Sequence, residues 1–379
     1  MTYTHEDLDL ANGTQLREFA RETGFKGFSK LKVKELRDAL RARLPSREAP
    51  PVPLFVELCA GTAALSLRLH QEGARPPVSR MGAKTGYANA ILHALGLYPG
   101  QQAEHYLWCE PDAGVRLLLH AYTDNELAKA AADIIRGWKD EDPRALWERL
   151  RAEGPARCPP VDPREVARWA WVQGHEDMHG RDVKPQYQPG AKDRDTWKPP
   201  PSDWLARRFD ASPTLPATIH DDARAIDPRE VARWAHLMAA GAGKWGEWFA
   251  PSHPVAGWVT APPETTARRC EDLPPVPATI HPDACAVEPP PLPKGTVVYI
   301  DPPYVGTTGY AHDLDRPAVV DLALKWHAAG ATVAVSEAEP IPELVALGWR
   351  VVDITGQRQG QKRTFSKQKA EYLTISPES

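Results

Sequence analysis

Asp301, Pro302, Pro303 and Tyr304 follow directly on Val297-Val298-Tyr299-Ile300. The leading run is apolar, β-branched and aromatic, which predicts a short buried strand. Neither proline can donate to a sheet ladder, so the strand stops there. A carboxylate is thereby set at the carboxyl end of a strand, where open α/β sheets bind ligands. The Asp301 carboxylate and the Pro302 carbonyl are two acceptors for the hydrogens of an amine. The Tyr304 ring is a surface on which a planar group can stack. Acceptors aimed at an exocyclic amine favour its tetrahedral, nucleophilic form over the one whose lone pair is shared with a ring. Such a site works by positioning and electrostatics rather than by covalent catalysis.

Other elements have to place a second ligand beside this acid. Leu54 to Leu58 reads as a strand, Cys59-Ala60-Gly61-Thr62-Ala63 as a turn of small residues, and Ala64 to Leu69 as a helix. Small residues let the backbone approach a ligand, and a helix N-terminus offers unpaired N–H groups. Many ordinary βα turns share this pattern. His105 to Cys109 reads as a second strand ending at Glu110-Pro111-Asp112. An acid there suits hydrogen bonds to ribose hydroxyls, a role that falls to Glu110. Asp112 is placed to cap the helix over 113–122. Beyond Tyr304 the pattern predicts helices over 317–329 and 341–347, and strands over 330–336, 349–354 and 371–375. The alternation implies an α/β sheet.

The middle of the chain is irregular. Proline, at 39 residues, concentrates in 155–163, 185–216 and 251–293, and eight of the thirteen tryptophans fall between 160 and 260. Large aromatic anchors distinguish this region from disorder. DPREVARWA occurs twice, from Asp162 and from Asp227. It reads as a helix start with Asp at the N-cap and Pro at N1. ATIHDDARAI (217–226) is echoed by ATIHPDACAV (278–287), each a short strand ending in an acid. Basic and aromatic residues interleave over 175–204 and 243–258, a composition suited to phosphates and bases. His175 and His179 are four apart, but Gly174 and Gly180 speak against one helix face, and no metal site is expected.

Near the N-terminus, Leu16, Phe19 and Ala20 have helical spacing, with Thr14 as the expected cap and Gly24 as the stop. A glycine-bearing loop over 24–30 leads to a second helix with Val33, Leu36, Leu40 and Leu44 on one face. Lys30, Lys32, Lys34, Arg37 and Arg41 occupy its other positions. Residues 14–47 carry ten Lys/Arg against four Asp/Glu, and residues 350–369 carry six against one, in a chain whose net charge is −4. No apolar run approaches the ~20 residues of a membrane span. The start of the chain is polar and acidic, unlike a signal peptide, and the five cysteines form no CxxC pair. These features imply a cytoplasmic protein with reduced thiols.

Two resemblances sharpen this reading. LREFARETGFKGFSKLKVKELRDAL is similar to the helix–extended-loop–helix modules related to SAP domains and to the N-terminal domain of the terminator Rho. That likeness implies a nucleic-acid-binding module, with Lys26, Lys30 and Lys32 as contacts. The alternative is a basic helix pair that only packs on the main domain. From about 54 to 375 the chain resembles the DNA adenine-N6 methyltransferases of the Dam-like, phage-type order, with DPPY the most specific motif. ELCAGTAALS is similar to their first cofactor motif, except that Ala63 stands where those enzymes usually carry glycine.

The resemblance implies a mostly parallel, seven-stranded, doubly wound methyltransferase sheet with an inserted recognition region. It implies S-adenosylmethionine as cofactor and double-stranded DNA as partner, in a bacterial or phage-infected cell. Cofactor residues would be Glu57, Cys59, Ala60, Gly61, Thr62 and Glu110, with Asp283 at the adenine amino group and Asp222 as its rival. SRMGAKTGYANAIL is similar to the family's Gly-x-Lys segment and brings in Lys84, which can equally contact phosphate. That segment normally precedes the first motif; here it follows it.

Asp301, Pro302, Pro303 and Tyr304 would form the pocket for an extruded base, with Thr307, Thr308 and Tyr310 in a closing loop. Arg358, Lys362 and Arg363 lie on a connection that faces nucleic acid in the family. The implied division is 1–48 module, 49–122 cofactor half, 123–275 recognition insertion and 276–379 catalytic half. RNA adenine-N6 or DNA cytosine-N4 methylation remain alternatives, as does a non-catalytic DNA-binding protein on the same scaffold. A protein-glutamine methyltransferase would favour asparagine at position 301.

Overall fold

The structure, a computed structural model, describes residues 3–45, 49–78, 84–153, 161–177, 186–187, 202–220, 222, 231, 292–304, 314–359 and 370–378. Asp283, Lys362, Arg363, His179, the loop with Thr307, Thr308 and Tyr310, and all but Val231 of the second DPREVARWA copy lie outside these residues.

Seven strands form one sheet: β1 (Phe55–Leu58), β2 (Tyr106–Cys109), β3 (Ala217–His220), β4 (Val297–Ile300), β5 (Thr332–Glu337), β6 (Arg350–Asp353) and β7 (Tyr372–Ile375). Their order is β3-β2-β1-β4-β5-β7-β6. The first five are mutually parallel; β7 runs antiparallel between β5 and β6. This is the Rossmannoid, methyltransferase-like α/β fold. The edge strand β3 is the ATIH of the first echo, so the sheet draws a strand from within 123–275.

The central strands β1, β2, β4 and β5 read as mainly apolar runs because both faces are covered. Alternate side chains divide between two cores. Phe55, Tyr106, Trp108, Val297 and Tyr299 pack on one face with α4 (Ala64–His70) and α5 (Ala88–Ala94). Val56, Leu58, Leu107, Val298 and Ile300 pack on the other with α11 (Arg316–Ala328), whose Trp326 is fully buried. Asp315 caps α11, accepting from Ala318 N–H at 2.9 Å, and Pro317 sits in its first turn. A short α12 (Pro342–Val345) adds Leu344 to the same core.

Between β2 and β3 the chain folds a helical layer. It comprises α6 (Ala113–Thr123), α7 (Asn125–Gly137), α8 (Pro143–Ala152), α9 (Pro163–His175) and α10 (Ser202–Asp210). Their shared core contains Leu118, Ile135, Leu146, Ala170, Trp171 and Phe209. Asp112 caps α6 as expected, and Asp162 accepts from the N–H groups of Arg164 and Glu165 at the start of α9. That helix continues through Gly174 to His175, where the glycine suggested a break.

The N-terminal module is α1 (His5–Leu10), α2 (Gly13–Glu22) and α3 (Val33–Arg41) around Leu8, Leu16, Ala20, Leu36 and Leu40. Helix α1, closed by a capping box between Thr4 and Asp7, carries no strong apolar stripe and was not expected from periodicity. The cap of α2 is Asn12 rather than Thr14, because its side chain accepts from both Thr14 and Gln15 N–H. Val33, expected on the buried face of α3, is 38% exposed at the helix start.

Candidate active site

The β1 turn is built on unusual backbone. Cys59, Gly61 and Ala63 all have positive φ, at 62°, 52° and 48°. The turn is held by Ala60 N–H donating to the Cys109 carbonyl (2.7 Å) and Ala63 N–H to the Ala60 carbonyl (2.9 Å). Gly61 N–H donates to Glu110 Oε2 at 2.8 Å, so the acid ending β2 already reaches the turn after β1. The other Glu110 oxygen takes Asp112 N–H at 2.9 Å. Thr62 Oγ1 is buried without a hydrogen-bond partner, and a buried hydroxyl of that kind is a place for a polar ligand atom. Small residues, a polar orphan and an acid at the second strand end suit a nucleoside-bearing cofactor.

Glu57 sits elsewhere. It lies on the Phe55 face of β1, 3% exposed, and its Oε1 accepts from Ser66 N–H (2.8 Å) and Ser66 Oγ (2.5 Å). Trp108 Nε1 also donates to Ser66 Oγ, at 2.8 Å. Glu57 therefore ties the start of α4 to the sheet. Burial, outweighing the Ser66 bonds, lifts its carboxyl to about 7, and the negative charge of Asp301 adds to the rise.

Asp301 stands one residue beyond β4, its N–H donating to the Leu58 carbonyl at 3.2 Å. That bond places the acid directly beside the β1 turn. Its carboxylate is held through one oxygen: Oδ1 accepts from Lys84 Nζ at 2.6 Å and from Ser336 Oγ at 3.0 Å. Neither bond involves Oδ2. Ser336, at the carboxyl half of β5, accepts in turn from Tyr299 OH (2.8 Å), and its Oγ lies 3.3 Å from Tyr304 OH. Tyr304 OH gives its one proton to Glu371 Oε1. Lys84 Nζ lies 3.9 Å from Glu371 Oε1 and 4.6 Å from the Tyr304 ring centroid, a cation–π distance. Burial raises the Glu371 carboxyl to about 7, against the lowering effect of Lys84. Burial and the charges of Asp301 and Glu371 push the Tyr304 phenol far above its ordinary range, so it stays a hydrogen-bond donor.

The strand ends gather the remaining acids. Burial, then the charges of Glu110, Asp301 and Asp222, push the Cys59 thiol well up. Asp222 follows β3, which pairs in register with β2 (Cys109 opposite His220). Lys84 opens a single 3₁₀ turn (Lys84–Gly86) and is 6% exposed, against Asp301 rather than on the surface.

Of the basic residues on α3, Arg37 is used inside the module and Arg41 also reaches the sheet domain. Arg37 donates to the carbonyls of Leu8 and Ala11, and Arg41 pairs with Asp9 and Glu72. Lys26, Lys30 and Lys32 are exposed, as is Arg358.

Ser336 and Glu371 escaped sequence reasoning. A serine inside an apolar strand and an acid leading into one carry no spacing relative to Asp301. Only the adjacency of β4, β5 and β7 brings them together.

The sheet order is typical of folds that bind S-adenosylmethionine, and the fold is consistent with methyl transfer from that cofactor in general. No protein-family model matches the chain, and no curated protein shows a significant match to its sequence.

Proposed function

We propose that the protein methylates the N6 amino group of adenine in DNA, with the target base turned out of the duplex into the pocket at Asp301. The observation that carries this reading is the placement of Asp301. It stands beside the β1 turn, with one carboxylate oxygen pinned by Lys84 and Ser336 and, among the described residues, no such bond to the other. Oδ2 and the Pro302 carbonyl then accept the two hydrogens of the base amine and favour its tetrahedral form. Tyr304, held by Glu371 and Ser336, offers its ring to the base. Pro303 keeps the segment extended between them.

S-adenosylmethionine, when bound, supplies a methyl group on a positively charged sulfur. The residues that would hold it are the turn Cys59, Ala60, Gly61 and Thr62, with Glu110 at the ribose. Asp283 is the acid for the adenine amino group, with Asp222 as its rival. Double-stranded DNA is the partner, with Lys26, Lys30, Lys32 and Arg358 exposed for phosphate contacts and Lys362 and Arg363 on the same connection as Arg358. The division into module (1–48), cofactor half (49–122), recognition insertion (123–275) and catalytic half (276–379) goes with this reading.

The test is incubation with methyl-labelled cofactor and unmethylated duplex, followed by digestion to nucleosides. Label in N6-methyl-2′-deoxyadenosine is expected. Label in N4-methyl-2′-deoxycytidine, or transfer only in a parallel incubation with RNA, would change the substrate. No transferred label would leave a DNA-binding protein without this chemistry.

A further inference from the structure

The N-terminal module meets the sheet domain at a triangle of side chains and backbone around Asp9. Asp9, 2% exposed near the end of α1, gives its carbonyl oxygen to two donors: Asn89 Nδ2 on α5 at 2.8 Å, and Gln359 Nε2. Asn89 Nδ2 also donates to Gln359 Oε1 at 3.3 Å, closing the triangle, and Arg68 Nη1 donates to Asn89 Oδ1 at 2.7 Å. The Asp9 carboxylate faces Arg41 of α3 at 2.5 Å and His93 of α5 at 3.1 Å. A fully satisfied buried network of this kind fixes its members in one arrangement.

Gln359 carries the connection onward. Its backbone N–H donates to the Gly86 carbonyl at 2.7 Å. The approach is close: a Cβ on Gly86 would lie 2.9 Å from Arg358 Cγ and 3.1 Å from the Gln359 carbonyl oxygen. Gly86 ends the 3₁₀ turn that begins at Lys84, and Lys84 reaches Asp301. A continuous set of contacts thus runs from Asp9 through Gln359 and Gly86 to Lys84 and Asp301.

We propose that the N-terminal module is a positioning element of the active site. Through Asp9, Asn89 and Gln359 it holds the Lys84–Gly86 turn, and so the Lys84 ammonium, at Asp301. The proposal builds on the reading of Asp301 as the site of methyl transfer. It gives the module a task that a nucleic-acid tether would not have. Gln359 is the residue to change, because it is only partly buried and its side chain touches the module while its backbone touches the turn.

The experiment uses the full-length protein, wild type, Gln359→Ala and Gln359→Glu. The glutamate keeps the volume but turns an oxygen toward the Asp9 carbonyl, so both variants lose the bond. Reductive dimethylation of lysines, read residue by residue by mass spectrometry, reports on Lys84 without requiring turnover, with exposed Lys26 as the reference. Lys84 labelling is expected to accelerate on the order of tenfold in both variants as the turn opens. Single-turnover methylation is expected to fall by about the same factor.

Lys84 labelling at the wild-type rate in both variants would overturn the proposal, whatever happens to methylation. Faster Lys84 labelling alongside a wild type that transfers no methyl group would overturn the functional reading and leave the positioning role standing.

Discussion

Lys84 and Asp301 are 217 positions apart in the chain and 2.6 Å apart in the fold. The ammonium lies over the ring of Tyr304 and occupies the same carboxylate oxygen as Ser336. The pair orients the carboxylate through Oδ1. Asp301→Ala is therefore expected to abolish methyl transfer while cofactor affinity stays within about twofold, a loss confined to the chemical step. Single-turnover kinetics and calorimetric titration of the cofactor check this. A variant that still methylates would remove Asp301 from the mechanism.

Ser336 joins Asp301, Tyr299 and Tyr304 through one fully buried hydroxyl. Ser336→Ala leaves the buried Tyr299 hydroxyl without that acceptor, at a cost of about 1–3 kcal/mol. The expected outcome is a lower denaturation midpoint together with a drop in kcat, since both Asp301 and Tyr304 lose a fixed partner. Urea titration and initial rates measured on the same preparation test the two halves separately.

Glu57 makes stability depend on pH. Its folded carboxyl titrates at about 7, against an unfolded value of 4.5. Between these values the folded chain holds a proton that the unfolded chain has released. The stabilisation is complete below pH 4.5 and is lost as pH rises through about 7, on the order of 3 kcal/mol. Glu371, raised to about 7 as well, acts in the same direction. Glu57→Gln keeps Oε1 as acceptor for Ser66 and cannot ionise. Its melting temperature is expected to exceed that of wild type at pH 8 and to approach it at pH 5. Thermal melts at the two pH values decide.

Ala63 caps α4 with φ 48° and ψ 42°, a left-handed conformation. A side chain there costs about 1–2 kcal/mol relative to glycine. Ala63→Gly is expected to raise the melting temperature by a few degrees while leaving the turn geometry intact. A fall in melting temperature would mean that the glycine's greater freedom in the unfolded chain outweighs the relieved strain.

Much of the scaffold was legible because it is written in local pattern. The runs LFVEL, VVYI and ATVAVS are mainly apolar, as strands buried on both faces tend to be. Asp112 stands before a helix at a position where a short acceptor satisfies free N–H groups, and it caps as its position implies. The acid after VVYI lies at the carboxyl end of its strand because prolines cannot extend a ladder. Helix α1 was not legible, since its six residues are held by a capping box and by tertiary burial of Leu8 and Asp9 rather than by an apolar stripe.

What the sequence determined by itself is the set of strands and turns and the acids at their ends. Backbone hydrogen bonding and burial of apolar runs act over a few residues and leave their mark locally. The tertiary structure alone decided which of those ends meet. It brought Lys84 to Asp301, Ser336 and Glu371 to Tyr304, and Asp9 to Gln359. These encounters follow from strand order and helix packing, which depend on the whole set of buried surfaces at once. Arg37 and Arg41 show the same limit from the other side. Their charge and spacing suggested a surface for nucleic acid, and the fold spends them on the carbonyls of α1 and on Asp9. A basic residue's partner is fixed by what packs against it, and spacing along one helix does not contain that.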